Sequence, residues 1–144
     1  MSAPDFIWPI RVYYEDTDVS GVVYHAAYLC YLERARTEWL RAQGYSQEQL
    51  RTELGVAFTV SELEIRFRKP ARLDDALEAT VTVSGRGRAS LEFEQSLRFA
   101  GDPGQVLTTA RVRVACVDAH RFKPCALPGR LLQPRQATST ATST

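Results

Sequence analysis

The chain has 144 residues, 44% of them hydrophobic and 24% charged, with a formal net charge of +1. That length and apolar content suit one globular domain with one core, and the near-neutral charge gives no reason to expect a nucleic-acid or polyanion surface. No run of about 18 apolar residues is present, so no membrane span is expected, and Met1-Ser2-Ala3-Pro4-Asp5 has neither the basic nor the apolar region of a signal peptide, so a cytoplasmic protein is expected.

In chain order, Trp8, Ile10, Val12 and Tyr14 alternate with Pro9, Arg11 and Tyr13, which predicts a half-buried strand. A loop over 15–24 follows. Residues 26–43 predict a helix, because Tyr28, Leu29, Leu32, Ala35, Trp39 and Leu40 recur at helical spacing as one apolar stripe. Gly44 is a natural stop, and Ser46 is placed to cap a short second turn over 46–53. Val56, Phe58 and Val60 then alternate, and Leu63, Ile65 and Phe67 alternate in the opposite phase. That slip predicts a bulge or bend around Ser61-Glu62. Leu77, Ala79, Val81 and Val83 make a third strand, and Gly85-Arg86-Gly87-Arg88 a hairpin connection. Ala89, Leu91, Phe93, Leu97 and Phe99 make a fourth, with Gln95 the one polar residue on its apolar side. After the turn Gly101-Asp102-Pro103-Gly104, Val106, Ala110, Val112, Val114 and Cys116 make the fifth.

One long helix with a single apolar stripe must be covered, and strands joined by short turns form an antiparallel sheet. The prediction is an α+β fold: a five-stranded antiparallel sheet wrapped around one long central helix. The domain is expected over 1–131, and 132–144, where Ala-Thr-Ser-Thr occurs twice, is expected to be a disordered tail. Cys30, Cys116 and Cys125 have no CxxC or zinc spacing and read as reduced thiols.

The informative stretch is Tyr14-Glu15-Asp16-Thr17-Asp18-Val19-Ser20-Gly21-Val22-Val23-Tyr24-His25, which runs straight into the helix. It brings carboxylates, a glycine turn, a histidine and the N–H groups of a helix end into one junction, as an acyl-transfer site requires. Taken alone, Asp18 fits equally a catalytic carboxylate or an Asx-turn carboxylate. The run Asp16-x-Asp18-x-Ser20-Gly21 imitates the first half of an EF-hand loop, but the twelfth position is Ala27, where calcium needs a glutamate, so no metal is expected.

Asp18-Val19-Ser20-Gly21-Val22-Val23-Tyr24-His25, followed by Tyr28-Leu29 and Glu33-Arg34-Ala35-Arg36, resembles the hotdog-fold acyl-CoA thioesterases of the 4-hydroxybenzoyl-CoA thioesterase group. Pro70-Ala71-Arg72-Leu73-Asp74-Asp75 and Lys123-Pro124 resemble its branch associated with the Tol–Pal cell-envelope system. The resemblance covers roughly residues 8–131. It implies a hotdog fold, a homodimer or homotetramer with sites at the dimer interface, Asp18 as the catalytic carboxylate and the His25 N–H as an oxyanion donor. It leaves room for a link to a cell-envelope complex or an acyl-carrier protein.

Thiolate leaves readily, so one carboxylate and one oxyanion hole can hydrolyse a thioester. Asp18 would act as general base or nucleophile, with Gly21, Tyr24 and His25 positioning the carbonyl. The His25 side chain would polarise the carbonyl or orient Asp18. Glu33 is a candidate supporting residue, although a surface pair with Arg36 explains it more simply. Arg86 and Arg88 are candidates for CoA phosphates, with Lys69 and Arg72 behind them. Gln95 would serve as an interface hydrogen-bonder or line the acyl tunnel. No cofactor is expected beyond the CoA of the substrate. The alternatives are a hotdog hydratase or dehydratase acting on acyl-CoA or an acyl-carrier protein, and a non-catalytic acyl-CoA-binding or envelope scaffold module.

Overall fold

The computed structural model describes residues 3–132. The tail predicted over 132–144 lies outside the described residues from 133 onward. Strands β1 (Phe6–Arg11), β2 (Val56–Phe67), β3 (Ala76–Arg86), β4 (Ser90–Phe99) and β5 (Val106–Asp118) form one sheet in the order β1-β3-β4-β5-β2, every pair antiparallel. Consecutive strands β3, β4 and β5 are neighbours because short turns join them. Strands β1 and β2 are at opposite edges, so the chain between them must cross the sheet. Helix α1 (His25–Ala42) makes that crossing.

The core lies between α1 and the sheet. Tyr28, Tyr31, Leu32, Ala35 and Trp39 are buried from the helix, and Leu77, Ala79, Val81, Leu91, Phe93, Leu97 and Val112 from the strands. The Trp39 ring meets Phe93 edge-on at 5.3 Å between centroids. Gly44, at φ +96°, ends α1. The Gly44 N–H donates to Arg41 O and the Tyr45 N–H to Leu40 O, which satisfies two of the last helical carbonyls.

The phase slip in β2 is a bulge: the register with β5 shifts between Val60 and Glu62, leaving Ser61 over. Three expectations need correction. Leu29, placed in the apolar stripe, lies on its flank and is half exposed, while Tyr31 takes the buried position. The stripe follows residues 28, 31, 32, 35 and 39, one step round from where Leu29 would place it. Tyr14, read as the end of the first strand, is 83% exposed, because Tyr14–Asp16 forms a 3₁₀ turn. The 18-residue α1 is also not the sole helix. The short turn expected over 46–53 is present as α2 (Gln47–Gln49), capped by Ser46 and running on as a π turn over Leu50–Leu54, and an unforeseen α3 (Gly129–Leu132) follows the sheet. Leu127 and Leu131 of that last segment join the core, a burial that no periodicity in the sequence announced.

Candidate active site

The 17–23 loop is held at both feet. After β1 the chain still pairs with the 74–75 segment: Val12 N–H donates to Asp75 O at 3.0 Å and Asp74 N–H to Val12 O at 3.1 Å. The 3₁₀ turn then buries Asp16, which is 7% exposed and accepts from the Tyr13 N–H at 2.9 Å. The Asp16 carbonyl accepts from the Tyr24 N–H at 3.2 Å, so the chain that leaves at 16 is back beside itself at 24. Thr17 and Val23 bridge, and inside them Asp18 N–H donates to Val22 O and Gly21 N–H to Asp18 O, both at 3.0 Å. This turn requires the left-handed backbone of Gly21, φ +81°.

A second segment braces the loop from outside. Val23 N–H donates to Ala71 O at 2.9 Å and Leu73 N–H to Gly21 O at 3.3 Å. Ala71 N–H in turn donates to the buried Tyr28 hydroxyl at 2.9 Å. The helix therefore positions the loop that precedes it. The Tyr31 hydroxyl is buried without a hydrogen-bond partner. Burial first, and the Asp16 carboxylate second, hold that phenol protonated well above its ordinary pKa.

Asp18 itself is exposed at the loop tip. Its Oδ1 accepts from the Ser20 hydroxyl at 2.6 Å and the Ser20 N–H at 2.8 Å. These bonds favour the carboxylate and hold its pKa below the ordinary 3.8, the hydroxyl contributing most. The Asx turn that competed with catalysis in the sequence is therefore present, and its second carboxylate oxygen is not used in it.

Seven residues on, α1 begins without a side-chain cap. The Tyr24 N–H, one of the expected oxyanion donors, is already engaged by Asp16 O. The first helical amides, His25 and Ala26, are the donors that remain, at the positive end of the helix. The His25 imidazole does not hold Asp18. It stacks on Phe67 of β2 with centroids 4.4 Å apart, and Tyr28 meets the same ring edge-on at 5.3 Å.

One turn further, a cleft of about 410 Å³ opens between α1 and β2. Leu29, Leu32 and Leu40 line it from the helix, Phe58, Val60 and Leu63 from the strand, and Phe93 and Val112 form part of its floor. Glu33 and Arg36 line it too, but not as the surface pair expected. Arg36 makes none of the ion pairs among the described residues and turns inward to Gln95. Gln95 is buried, so its amide binds within the fold rather than at an interface: it donates to Leu32 O at 3.1 Å and to Thr80 O at 3.3 Å.

Arg86 and Arg88 are not brought to the junction within this protomer. The 71–75 segment beside Gly21 leads into the Ala76 end of β3, and Arg86 ends that strand, about 30 Å away by strand rise. Arg86 is also engaged, its Nε donating to Leu131 O at 3.2 Å. Arg72, paired across a bridge with Val22, is the basic residue that the fold sets beside the loop. No cluster of metal-ligating side chains occurs among the described residues. All three cysteines are free thiols, and burial beside Cys125 pushes Cys116 up to about 12, so it carries no thiolate at neutral pH. Sequence reasoning missed Ser20 as the partner of Asp18, Phe67 as the platform for His25, and Arg36 as a cleft residue. Only Ser20, two residues after an aspartate and before a glycine, carried a local signal.

The profile of the thioesterase-like superfamily matches residues 12–134. The chain belongs to that superfamily. It is 47% identical over 128 residues to the acyl-CoA thioester hydrolase YbgC of Escherichia coli O6:H1, covering 89% of this chain and 93% of that one. It is 47% identical over 123 residues to the acyl-CoA thioesterase YbgC of Haemophilus influenzae, covering 85% and 88%. A probable thioesterase from Bartonella henselae superposes with a TM-score of 0.79 at 36% identity, over 85% of this chain and 98% of that one. The five-stranded antiparallel sheet with its crossing helix is the superfamily's hotdog architecture in this chain. The Tol–Pal branch of the resemblance is consistent with the YbgC naming of these relatives. Among the described residues no helix is long and apolar enough to cross a membrane.

Proposed function

We propose that this protein hydrolyses acyl-CoA thioesters, with Asp18 as the reacting carboxylate and the His25 and Ala26 N–H groups as the oxyanion hole. The observation that carries the reading is the closed 16–24 loop, which bears an exposed carboxylate and runs directly into an uncapped helix N-terminus. As general base, Asp18 takes a proton from water while the water oxygen bonds to the thioester carbon. The helix amides hold the oxyanion, the C–S bond breaks, and the CoA thiolate recovers the proton. As nucleophile, Asp18 forms a mixed anhydride, expels the thiolate, and water then cleaves the anhydride. Both routes give free acid and CoA. A thiol-release screen over short, long and aromatic acyl-CoAs tests the reading. Steady release is expected from at least one class, and hydration of an enoyl-CoA without thiol release would point to a hydratase instead.

The site belongs, on this reading, to a homodimer. Strand β2 is a 12-residue edge whose outer hydrogen-bonding groups have no neighbour among the described strands, and its Val60, Leu63 and Phe67 are each more than 40% exposed. A second copy paired along β2 removes that edge and covers the cleft mouth. It also desolvates Asp18, raising the basicity that the Ser20 bonds depress. Light scattering at micromolar concentration is expected to give a dimer or a multiple of it, and a monomer would contradict the shared site.

The Ser20 bonds make a pH prediction. They lower the Asp18 pKa, so the active carboxylate persists to lower pH with them than without them. Ser20→Ala removes the largest of these effects, so the Asp18 pKa rises. The acid limb of kcat/KM is expected to move to higher pH, with the plateau little changed. An unmoved acid limb would mean that Asp18 is not the group titrating.

A further inference from the structure

The least expected group in the cleft is Arg36. It lines the cleft together with Leu32 of its own helix, Leu63 of β2, and Phe93 and Val112. Its Nη1 donates to Gln95 Oε1 at 3.0 Å, a neutral acceptor, and no ion pair among the described residues includes it. A guanidinium has five N–H donors, and the half-buried Arg36 is one of the residues that line the cleft. Charges in such surroundings are ordinarily paired. Glu33, one turn earlier on the rim, stands close enough to favour the charged form, while burial, the larger effect, opposes it. The Gln95 amide, tied to Leu32 O and Thr80 O, holds the arginine from behind and leaves little freedom to swing out.

Position gives the group a meaning. Leu32 lies seven residues along α1 from His25, about 10 Å by helical rise. Gln95 bridges Arg36 to Leu32 O, which sets the guanidinium about 10 Å along the helix from the oxyanion amides. An extended chain advances about 3.8 Å per three bonds, so after room for a hydrogen bond an acyl group spanning about five to seven bonds brings its far end to Arg36.

We propose that Arg36 recognises the far end of the acyl group, and that the cleft selects acyl-CoA thioesters ending in a carboxylate. The inference rests on the thioesterase reading and specifies its substrate. A terminal carboxylate meets the guanidinium fork with charge-assisted hydrogen bonds. A plain alkyl chain of the same length strips water from the guanidinium and replaces none of its bonds, which disfavours it. Glu33 opposes a second negative charge nearby and so tempers the preference.

The test compares isosteric pairs, adipoyl-CoA with hexanoyl-CoA and suberoyl-CoA with octanoyl-CoA, by thiol release. Wild type is expected to favour the carboxylate member of the better-fitting pair by at least about tenfold in kcat/KM. Arg36→Met should reverse the ratio, Arg36→Lys should leave it between the two, and Glu33→Gln should raise it. Wild type favouring the alkyl member of both pairs, or an unchanged ratio in Arg36→Met, overturns the proposal. If Arg36→Met does not fold, the wild-type and Arg36→Lys ratios decide. If no acyl-CoA releases thiol, the hydrolase reading fails separately, and calorimetric affinities for intact suberoyl-CoA and octanoyl-CoA decide on the same tenfold criterion.

Discussion

Asp18→Asn is expected to lower kcat by about 10²–10⁴ with little change in KM. The substitution keeps the size of the side chain and an oxygen to accept from Ser20, so the loop tip keeps its turn. The other anchors of the loop are backbone bonds accepted by the carbonyls of Asp16, Val22, Ala71 and Gly21, which the substitution does not touch. What disappears is the negative charge and the basicity. His25→Ala should cost less, since its amide survives and its ring rests on Phe67 rather than on Asp18. Initial rates on the best thioester, with circular dichroism as the check of folding, measure both. Near-normal turnover by a folded Asp18→Asn variant would make Asp18 a turn residue only.

The largest loss of stability is expected at Trp39. Its side chain is 3% exposed, it joins α1 to β4 through the edge-on contact with Phe93, and it borders the cleft. Trp39→Ala removes that buried surface and leaves a cavity that helix and sheet cannot both close, at a cost of about 3–5 kcal/mol. Total stabilities are about 5–15 kcal/mol, so the variant should unfold at markedly lower urea concentration and temperature. A urea midpoint within error of wild type would mean that the helix is not anchored to the sheet through this ring.

What the sequence made legible was local. The β2 bulge could be read because Val60 and Leu63 break the alternation, and a phase slip has only one geometric remedy. The Gly44 stop and the Ser46 cap could be read because each depends on its own backbone. The 18–25 junction was legible as a set of groups, and the Asx alternative for Asp18 was already in view. Relations across the fold were not legible. Nothing near Arg36 says that Gln95, far along the chain, would draw it inward from Glu33. The pairing of Tyr28 with the Ala71 amide depends on a segment reached only after β2. The Tyr24 N–H is taken by Asp16 O because loop closure, not helix geometry, decides where it points. Arg86 and Arg88 read as candidate phosphate ligands from their glycine hairpin, and strand length puts them at the other end of the sheet from the junction of their own protomer.

The central claim, that the loop tip and the helix N-terminus share one thioester, is tested most directly by a crystal structure of the Asp18→Asn variant with an intact acyl-CoA. The account predicts the thioester carbon facing Asn at position 18, directly or through one water, and its carbonyl oxygen within about 2.7–3.1 Å of the His25 N–H. A thioester bound away from residue 18, with the His25 and Ala26 amides facing solvent, would contradict it.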